Sequence, residues 1–303
     1  MINLDKVTLR YGDTYALRDI SLRLPENGIC GLLGRNGAGK TSLLSLLCAY
    51  RRPTSGNIRV LGENPYENPN ILPNIAYIYD NQSVSEQSFR VKDLLKLTAA
   101  LRPNWDAAYA DKLVELFDIP VKKTMGALSH GQRSSVHVII GLAGRTRITL
   151  YDEAYLGMDA AVRKLFIHEL LEDYMRDPKL ILFSTHYINE VESLFNEAII
   201  LGDGRIIAHE DCDTLRSKGT VLTGRLEAVD DFISGREILS QRTLGNQKEA
   251  VIYEELTEQE RLSAAKAGLE LTQPALQDLF IHLTEKGEKQ EDGQKRKRGG
   301  AKR

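Results

Sequence analysis

Apolar positions in the first 219 residues follow two alternating patterns. Short continuous apolar runs predict strands at 29–33, 77–79, 148–151, 180–184, 197–201 and 205–208. Longer stretches with apolar residues at helical spacing predict helices at 41–49, 92–101, 107–117, 131–143, 160–175 and 187–195, with Asp106 as an N-cap. Strands that alternate with helices indicate an α/β core with a largely parallel sheet, interrupted by a helical insert at about 85–128.

The pattern changes after residue 219, so we expect a first domain at 1–219 and a second at 220–284. Strand candidates at 220–227 and 249–253 alternate there with helix candidates at 228–234, 257–267 and 274–284, which predicts a small α+β appendage. Residues 285–303 contain no apolar side chain except Ala301, and six of the last nine residues are Lys or Arg. This segment is therefore predicted to be a disordered basic tail.

Composition narrows the class of protein. Of 303 residues, 42% are hydrophobic and 27% charged, and the formal charge is −2, which is typical of a globular protein and makes nucleic acid an unlikely partner. No run approaches the roughly 18 apolar residues of a membrane span, and the first residues lack the pattern of a secretory signal. Three widely separated cysteines, without metal-ligand spacing, favour a cytoplasmic location.

A glycine-rich segment between the strand at 29–33 and the helix at 41–49 matches the phosphate-binding pattern G-x-x-x-x-G-K-[ST]. Glycines let successive backbone N–H groups surround phosphate oxygens, and the following helix N-terminus favours negative charge. Lys40 is predicted to reach the β- and γ-phosphates of a nucleotide, and the Thr41 hydroxyl to bind Mg²⁺. The predicted phosphate-binding residues are Gly34, Arg35, Asn36, Gly37, Ala38, Gly39, Lys40, Thr41 and Ser42.

Two adjacent carboxylates end the strand predicted at 148–151. Alone, such a pair is usually just solvated. In a phosphate-loop fold, however, an acidic residue at the end of a neighbouring strand holds the Mg²⁺ hydration shell, and Asp152 suits that role. Glu153 would then lie near the γ-phosphate and is predicted to polarise the attacking water.

The segment 128–132 reads Leu-Ser-His-Gly-Gln and opens the predicted helix at 131–143. With the motifs above, it makes residues 1 to about 220 resemble the ATP-binding subunit of ABC transporters, whose signature is L-S-x-G-Q. The resemblance implies that Tyr11 stacks on adenine, that the D-loop at 156–159 contains Asp159, and that His186 senses the γ-phosphate of ATP. In that family two cassettes pair head to tail, so the signature of one closes over ATP held by the other. The residues that would act in trans are Ser129, His130, Gly131 and Gln132. By itself, the same pentapeptide fits an ordinary N-capped helix.

Three positions depart from the family pattern. Asp80 replaces the usual Gln after the strand at 77–79, and a carboxylate can bind a metal-bound water but cannot donate as an amide can. Asp80 is thus a further candidate for the Mg²⁺ site, while Gln82 is a candidate substitute for the missing amide. His130 replaces the second Gly of the signature, and Ala154 replaces the Pro after Glu153, without removing a phosphate contact invoked above.

The resemblance implies a cytoplasmic ATPase subunit that uses ATP and Mg²⁺ to power a separate transmembrane permease at the inner face of the cell membrane. Its partners would be that permease and a second copy of itself or a homologous subunit. The single cassette, short insert and small appendage resemble the exporter branch with separately encoded permeases. An ABC-type ATPase with a regulatory or nucleic-acid-associated role is the alternative. For the basic tail, a solvated end, contact with anionic lipid and contact with DNA all stay open.

Overall fold

Residues 2–79 and 84–285 are described by the structure, which is a computed structural model. The predicted metal candidate Asp80, its neighbour Gln82 and the predicted tail from residue 286 onward lie outside the described residues. The chain divides into two compact units, the first formed by 1–186 with 203–206 and the second by 187–202 with 207–303. The predicted domain boundary at 219 stays a prediction.

The first unit alternates strands and helices, with a helical insert before its last two strands. In chain order its elements are β1 (Ile2–Tyr11), β2 (Thr14–Leu24), β3 (Gly28–Gly34), α1 (Lys40–Leu47), β4 (Ser55–Val60), β5 (Ile75–Tyr79), α2 (Val84–Gln87), α3 (Val91–Leu101), α4 (Ala107–Leu116), α5 (His130–Ala143), β6 (Ile148–Asp152), α6 (Ala160–Arg176) and β7 (Leu180–Thr185).

A parallel sheet with the strand order β5-β6-β7-β3 forms the centre of this unit. Every residue of β3, β6 and β7 is buried, which explains why these strands read as continuous apolar runs rather than as alternating ones. Parallel strands end at the same edge of a sheet. The loop after β3, the carboxylates after β6 and the histidine after β7 therefore meet at one edge. The predicted α/β class is confirmed.

A second, antiparallel sheet with the order β2-β1-β4 was not predicted. In the second half of β2, buried and exposed residues alternate: Ile20, Leu22 and Leu24 are buried while Asp19, Ser21 and Arg23 are exposed. This period of two is the pattern of a sheet with one buried face. The alternation at 19–24 is visible in the sequence itself, so it is the signal from which β2 could have been predicted.

The helical insert is joined to the core by a cluster of charged side chains, of which Asp173 and Lys179 are buried and Asp106 and Arg145 are partly buried. Asp106 caps α4 as predicted, accepting from the Tyr109 backbone N–H at 2.9 Å, and it also accepts from the Arg145 guanidinium at 2.9 Å. Arg145 in turn pairs with Asp173 of α6, which accepts from Lys179 Nζ at 2.6 Å. Asp173 is 1% exposed and Lys179 5%, so the two charges compensate each other away from water.

The second unit begins with a difference from the sequence prediction. The segment 187–195, predicted as a helix, instead forms two 3₁₀ turns at Ile188–Glu190 and Glu192–Leu194. Its buried residues are Ile188, Val191, Leu194 and Phe195. The first three recur every three positions, which places them on one face of a 3₁₀ helix, and Phe195 follows the second turn with an extended backbone. The positions 188, 191 and 195 also have helical spacing, which is why the sequence pattern predicted an α-helix.

The remaining elements of the second unit include a four-stranded antiparallel sheet. In chain order they are β8 (Glu197–Gly202), β9 (Arg205–Asp211, whose first two residues belong to the first unit), α7 (Cys212–Ser217), β10 (Thr220–Arg225), α8 (Leu226–Ile233), β11 (Ile238–Leu244), β12 (Gln247–Ile252), α9 (Glu258–Lys266), β13 (Glu270–Thr272) and a last helix α10 at 276–285.

Elements β10 to β13 have the order strand–helix–strand–strand–helix–strand, and their sheet order is β11-β12-β10-β13. All three pairings are antiparallel, which is the topology of the ferredoxin-like split βαβ fold. A core that includes Leu222, Val229, Ile252 and Leu269 holds it together. The predicted α+β class of the appendage is confirmed, although β11 and β13 were not predicted.

We expect Asp173→Ala to lower the free energy of unfolding of the first unit by about 3–5 kcal/mol, because Lys179 and Arg145 would lose their buried counter-charge. The chain has a single tryptophan, Trp105, in this unit, so urea unfolding followed by its fluorescence reports the effect. Glu172→Ala, on the same helix at a less buried position, is the matched control. Equal stability of the two variants would contradict the role of Asp173 as the buried counter-charge of Lys179 and Arg145.

Candidate functional site

The predicted phosphate-binding loop lies between the buried strand β3 and α1, as its sequence pattern requires. Gly37 and Gly39 have φ angles of 82° and 107°, in the region that favours glycine. At Gly39 a Cβ atom would lie 2.7 Å from the Ala16 carbonyl oxygen, so a side chain there would clash with backbone. The glycines thus set both the turn of the loop and its close approach to β2.

Lys40 is buried inside this loop. Its Nζ donates to the carbonyl oxygens of Gly34 at 2.7 Å and Arg35 at 3.3 Å, and only 6% of the residue is exposed. Burial lowers the pKa of Lys40, although the nearby carboxylates of Glu153 and Asp152 oppose that effect. The ammonium group is therefore held by two neutral acceptors, and phosphate oxygens would be stronger ones.

The carboxylates that follow β6 lie beside the loop. Glu153 Oε1 is 3.8 Å from Lys40 Nζ and 2.8 Å from His186 Nδ1, and the Glu153 backbone N–H donates to the Ser184 carbonyl at 3.1 Å. Glu153 has a φ of 53°, a left-handed conformation that is uncommon for a residue with a side chain. The structure thus brings together Lys40, Glu153 and His186, which are far apart in sequence.

Two cavities that share lining residues open at this edge of the sheet. The first, of about 420 Å³, is lined by Ala16, Asn36, Gly37, Gly39, Lys40, Thr41, Ser42, Tyr77, Tyr79, Asp152 and Glu153. The second, of about 640 Å³, is lined by Tyr11, Thr41, Ser42, Ser45, Tyr50, Arg51, Tyr77 and Tyr79. Tyr11, predicted to stack on a base, is 41% exposed, and the Arg51 guanidinium lies 4.9 Å from its ring centre.

Three tyrosines in this site were not predicted as site residues. The rings of Tyr77 and Tyr79 stack at 4.8 Å, Tyr50 meets Tyr77 edge-on at 5.6 Å, and the Tyr77 hydroxyl donates to Asp152 Oδ2 at 2.9 Å. Burial raises the pKa of all three phenols, and for Tyr77 the Asp152 carboxylate adds to the effect. The sequence shows only that 77 and 79 share one face of a predicted strand, while the pairing of that strand with β6 and the contact with Tyr50 come from the structure.

The residues predicted to bind Mg²⁺ fit that ion chemically. The Thr41 hydroxyl and the buried Asp152 carboxylate line the same cavity, and oxygen atoms are the ligands that Mg²⁺ prefers. Mg²⁺ is usually held by one or two carboxylates together with substrate phosphates and waters. Within residues 2–79 and 84–285, no group of three or more His, Cys, Asp or Glu side chains clusters as a metal site.

The predicted signature residues lie at the start of α5. Ser129 is the N-cap: its side chain accepts from the Gln132 backbone N–H at 3.2 Å, and the Gln132 side chain accepts from the Ser129 N–H at 3.2 Å. A Cβ on Gly131 would lie 2.8 Å from the Gly157 carbonyl oxygen of the same chain, so the glycine permits contact with the D-loop. Among the described residues, those lining the two cavities do not include 129–132.

The predicted D-loop residue Asp159 is the N-cap of α6 and accepts from the backbone N–H groups of Ala161 and Val162 at 3.0 and 2.9 Å. The preceding Gly157 packs closely against α5, where a Cβ would lie 2.8 Å from the His130 ring. His130, which replaces the second Gly of the family signature, thus contacts the D-loop of its own chain. The functional roles of Asp159 and His130 stay predictions.

The parallel sheet and the loop between β3 and α1 define a P-loop nucleotide-binding protein. A family model described as ABC transporter matches residues 17–156. The lipopolysaccharide export system ATP-binding protein LptB of Haemophilus influenzae is 30% identical over 219 residues, which cover 69% of this chain and 89% of that protein.

Other comparisons agree. The daunorubicin resistance ATP-binding protein DrrA3 of Streptomyces coeruleorubidus is 26% identical over 303 residues, covering 93% of this chain and 95% of that protein. A solved dimeric ATP-binding cassette, in a post-hydrolysis state bound to ADP and Pi, has the same fold with a TM-score of 0.61. It is 20% identical and covers 70% of this chain and 98% of its own.

The chain belongs to the ATP-binding subunits of ABC transporters, a family of ATP-hydrolysing cassettes. The family resemblance given by the signature, the loop and the paired carboxylates is thereby confirmed. Of the helices formed by residues 2–79 and 84–285, none has the length and apolar character of a membrane span.

We expect Lys40→Ala to weaken ATP binding by about 10- to 100-fold, because the charge-assisted bonds of the ammonium to phosphate are lost. Isothermal titration calorimetry measures the affinity, and thermal unfolding checks the fold. Lys164→Ala, at an exposed position of α6, removes the same charge away from the loop. An unchanged ATP affinity in Lys40→Ala would contradict the phosphate-binding role of the loop.

Proposed function

We propose that this subunit hydrolyses ATP with Mg²⁺ at a site formed by residues 34–42, Asp152, Glu153 and His186, and that it works as a head-to-tail dimer. Hydrolysis would power a separate transmembrane permease. The main support for this proposal is that Lys40 and His186 both lie close to one carboxylate. Glu153 Oε1 is 3.8 Å from Lys40 Nζ and 2.8 Å from His186 Nδ1.

Glu153 is the proposed general base. The Glu153 side chain is 30% exposed, so water can reach it. Glu153 also lines the cavity beside the phosphate-binding loop. A base within hydrogen-bond reach of a water can accept the proton as that water attacks the γ-phosphate. Lys40 and the loop N–H groups would stabilise the charge that develops on the phosphate oxygens.

His186 is the proposed sensor of the γ-phosphate. Its Nδ1 contacts Glu153, and an imidazole has a second ring nitrogen that can donate to a phosphate oxygen. The bond to Glu153 would hold the ring in one orientation, so a γ-phosphate and the base could be recognised together. Tyr11, beside Arg51, is the proposed stacking partner of adenine.

The arrangement of the signature residues supports a dimer. Ser129 and Gln132 cap α5, and Gly131 faces the D-loop rather than either cavity of its own chain. The N-terminus of α5 is suited to an anion, yet residues 129–132 are not among the described residues that line the two cavities beside the loop. We propose that Ser129, His130, Gly131 and Gln132, with Asp159 nearby, complete the site of a second copy or of a homologous subunit.

The permease partner, the direction of transport and the location at the inner face of the cell membrane are also proposals. LptB is named for an export system, and the similarity to DrrA3 extends through the carboxy-terminal appendage. Other relatives are named for import systems or for amino acid transport. We propose export, because the resemblance to cassettes with separately encoded permeases includes both the short insert and the appendage.

We expect Glu153→Gln to lower the rate of ATP hydrolysis by about 10²–10⁴-fold while ATP binding persists, because the amide keeps the size of the side chain but cannot accept a proton. Since hydrolysis would reopen the dimer, the variant should accumulate as an ATP-bound dimer. Phosphate release and size-exclusion chromatography with ATP and Mg²⁺ measure the two effects.

Glu115→Gln, at an exposed position of α4, is the control for the loss of one charge and should hydrolyse ATP at the parental rate. If Glu153→Gln also hydrolysed ATP at that rate, Glu153 would not be the base, and the proposed site would be wrong.

A mixing experiment tests the composite site. Ser129→Arg and Lys40→Ala should each be inactive, because both sites of either homodimer carry a defect. An equal mixture should recover about one quarter of the parental activity, since random pairing makes half of the dimers mixed and each of these has one intact site of two. Either variant alone at doubled concentration is the control. No recovery in a mixture that sedimentation shows to contain dimers would count against sharing of the site.

A further inference from the structure

We propose that Tyr77 is a positioning residue for Mg²⁺ binding, whose phenol hydroxyl fixes the orientation of the Asp152 carboxylate. The inference rests on the proposed function, since it assigns Asp152 to the Mg²⁺ site. The inference adds Tyr77, a residue of β5, to a site that otherwise consists of the phosphate-binding loop, the two carboxylates and His186.

The hydrogen bond itself has a defined direction. Tyr77 Oη lies 2.9 Å from Asp152 Oδ2. An ionised carboxylate can only accept, so the phenol donates. The bond joins neighbouring parallel strands, because β5 and β6 pair in a register that places Tyr77 beside Leu150 and Tyr79 beside Asp152. The Tyr77 side chain therefore reaches along the sheet toward the edge where the cavity opens.

Two aromatic neighbours restrict the Tyr77 ring. Tyr79 stacks on it with ring centres 4.8 Å apart and an interplanar angle of 22°, and Tyr50 meets it edge-on at 5.6 Å and 83°. Both arrangements are favourable for aromatic pairs. A ring held on two sides keeps its hydroxyl in place, so the position of the donor does not depend on the hydrogen bond alone.

The consequence for Asp152 follows from its surroundings. The residue is 8% exposed, so little water competes for its oxygens. A donor fixed on Oδ2 limits rotation of the carboxylate and leaves Oδ1 to accept from a metal-bound water. Partners that orient metal-binding side chains in this way typically affect metal affinity by about 10- to 100-fold when they are removed.

Tyr79 provides a matched comparison. It lines the same cavity, lies on the same strand face and carries the same hydroxyl, but the phenol bonded to Asp152 Oδ2 is that of Tyr77. Replacing either residue with Phe keeps the stacked pair of rings and removes one hydroxyl. A difference between the two variants therefore reports the bond to Asp152 rather than the loss of aromatic packing.

The test measures metal affinity separately from nucleotide affinity. Mn²⁺ replaces Mg²⁺ as the probe and is titrated by electron paramagnetic resonance into full-length protein with a non-hydrolysable ATP analogue. ATP affinity is measured in EDTA by calorimetry. We expect Tyr77→Phe to raise the half-saturating Mn²⁺ concentration by about 10-fold or more without changing ATP affinity in EDTA. Tyr79→Phe should leave the half-saturating Mn²⁺ concentration at the parental value, and in an Asp152→Asn background Tyr77→Phe should have no further effect on it.

Three results would overturn the inference: unchanged Mn²⁺ affinity in Tyr77→Phe, tighter Mn²⁺ binding, or an equal loss of ATP affinity in EDTA, which would indicate a packing defect. The proposed function fails in a different way. If the parental protein itself showed no nucleotide-dependent Mn²⁺ binding, the Mg²⁺ site would be wrong, whatever the Tyr77 variant did.

Discussion

The site is organised around the buried ammonium group of Lys40, whose counter-charge, the Glu153 carboxylate, lies 3.8 Å away. Lys40 is held by the carbonyl oxygens of Gly34 and Arg35, within reach of Glu153 but not in close contact with it. A charge removed from water is stabilised by acceptors placed around it, and neutral carbonyls do this less well than phosphate oxygens. The loop between β3 and α1 therefore favours an anionic ligand, and its glycines are needed because the backbone passes 2.7 Å from where a Cβ at Gly39 would lie.

The parallel sheet determines what else surrounds that charge. Strands β3, β5, β6 and β7 end at one edge, so a lysine, a carboxylate and a histidine that are distant in the sequence meet there. Each of the two carboxylates has a side-chain contact that restricts it. The Tyr77 hydroxyl donates to an oxygen of Asp152, and His186 contacts an oxygen of Glu153. The surrounding residues therefore orient these two carboxylates.

Much of the fold and site could be predicted from the sequence, because the signals were local. The loop at 34–42 is contiguous, and the acidic pair follows an apolar run, so both needed only neighbouring residues. The Tyr77 bond to Asp152 depends on the register between β5 and β6, which no local pattern encodes. Likewise, Gly131 was interpreted only as part of an anion site, whereas its contact with Gly157 arises from packing between elements distant in the chain. Strand β11 was missed because it is polar and largely exposed.

When ATP binds, Lys40 is expected to exchange its carbonyl partners for the γ-phosphate beside Glu153. A structure of the Glu153→Gln dimer with ATP and Mg²⁺ would show whether this exchange occurs. We expect Lys40 Nζ to lie about 2.7–2.9 Å from a γ-phosphate oxygen, no longer bonded to the Gly34 carbonyl, with the substituted side chain and His186 beside that phosphate. Lys40 still bonded to the Gly34 carbonyl, with the triphosphate bound away from residues 34–42, would contradict it.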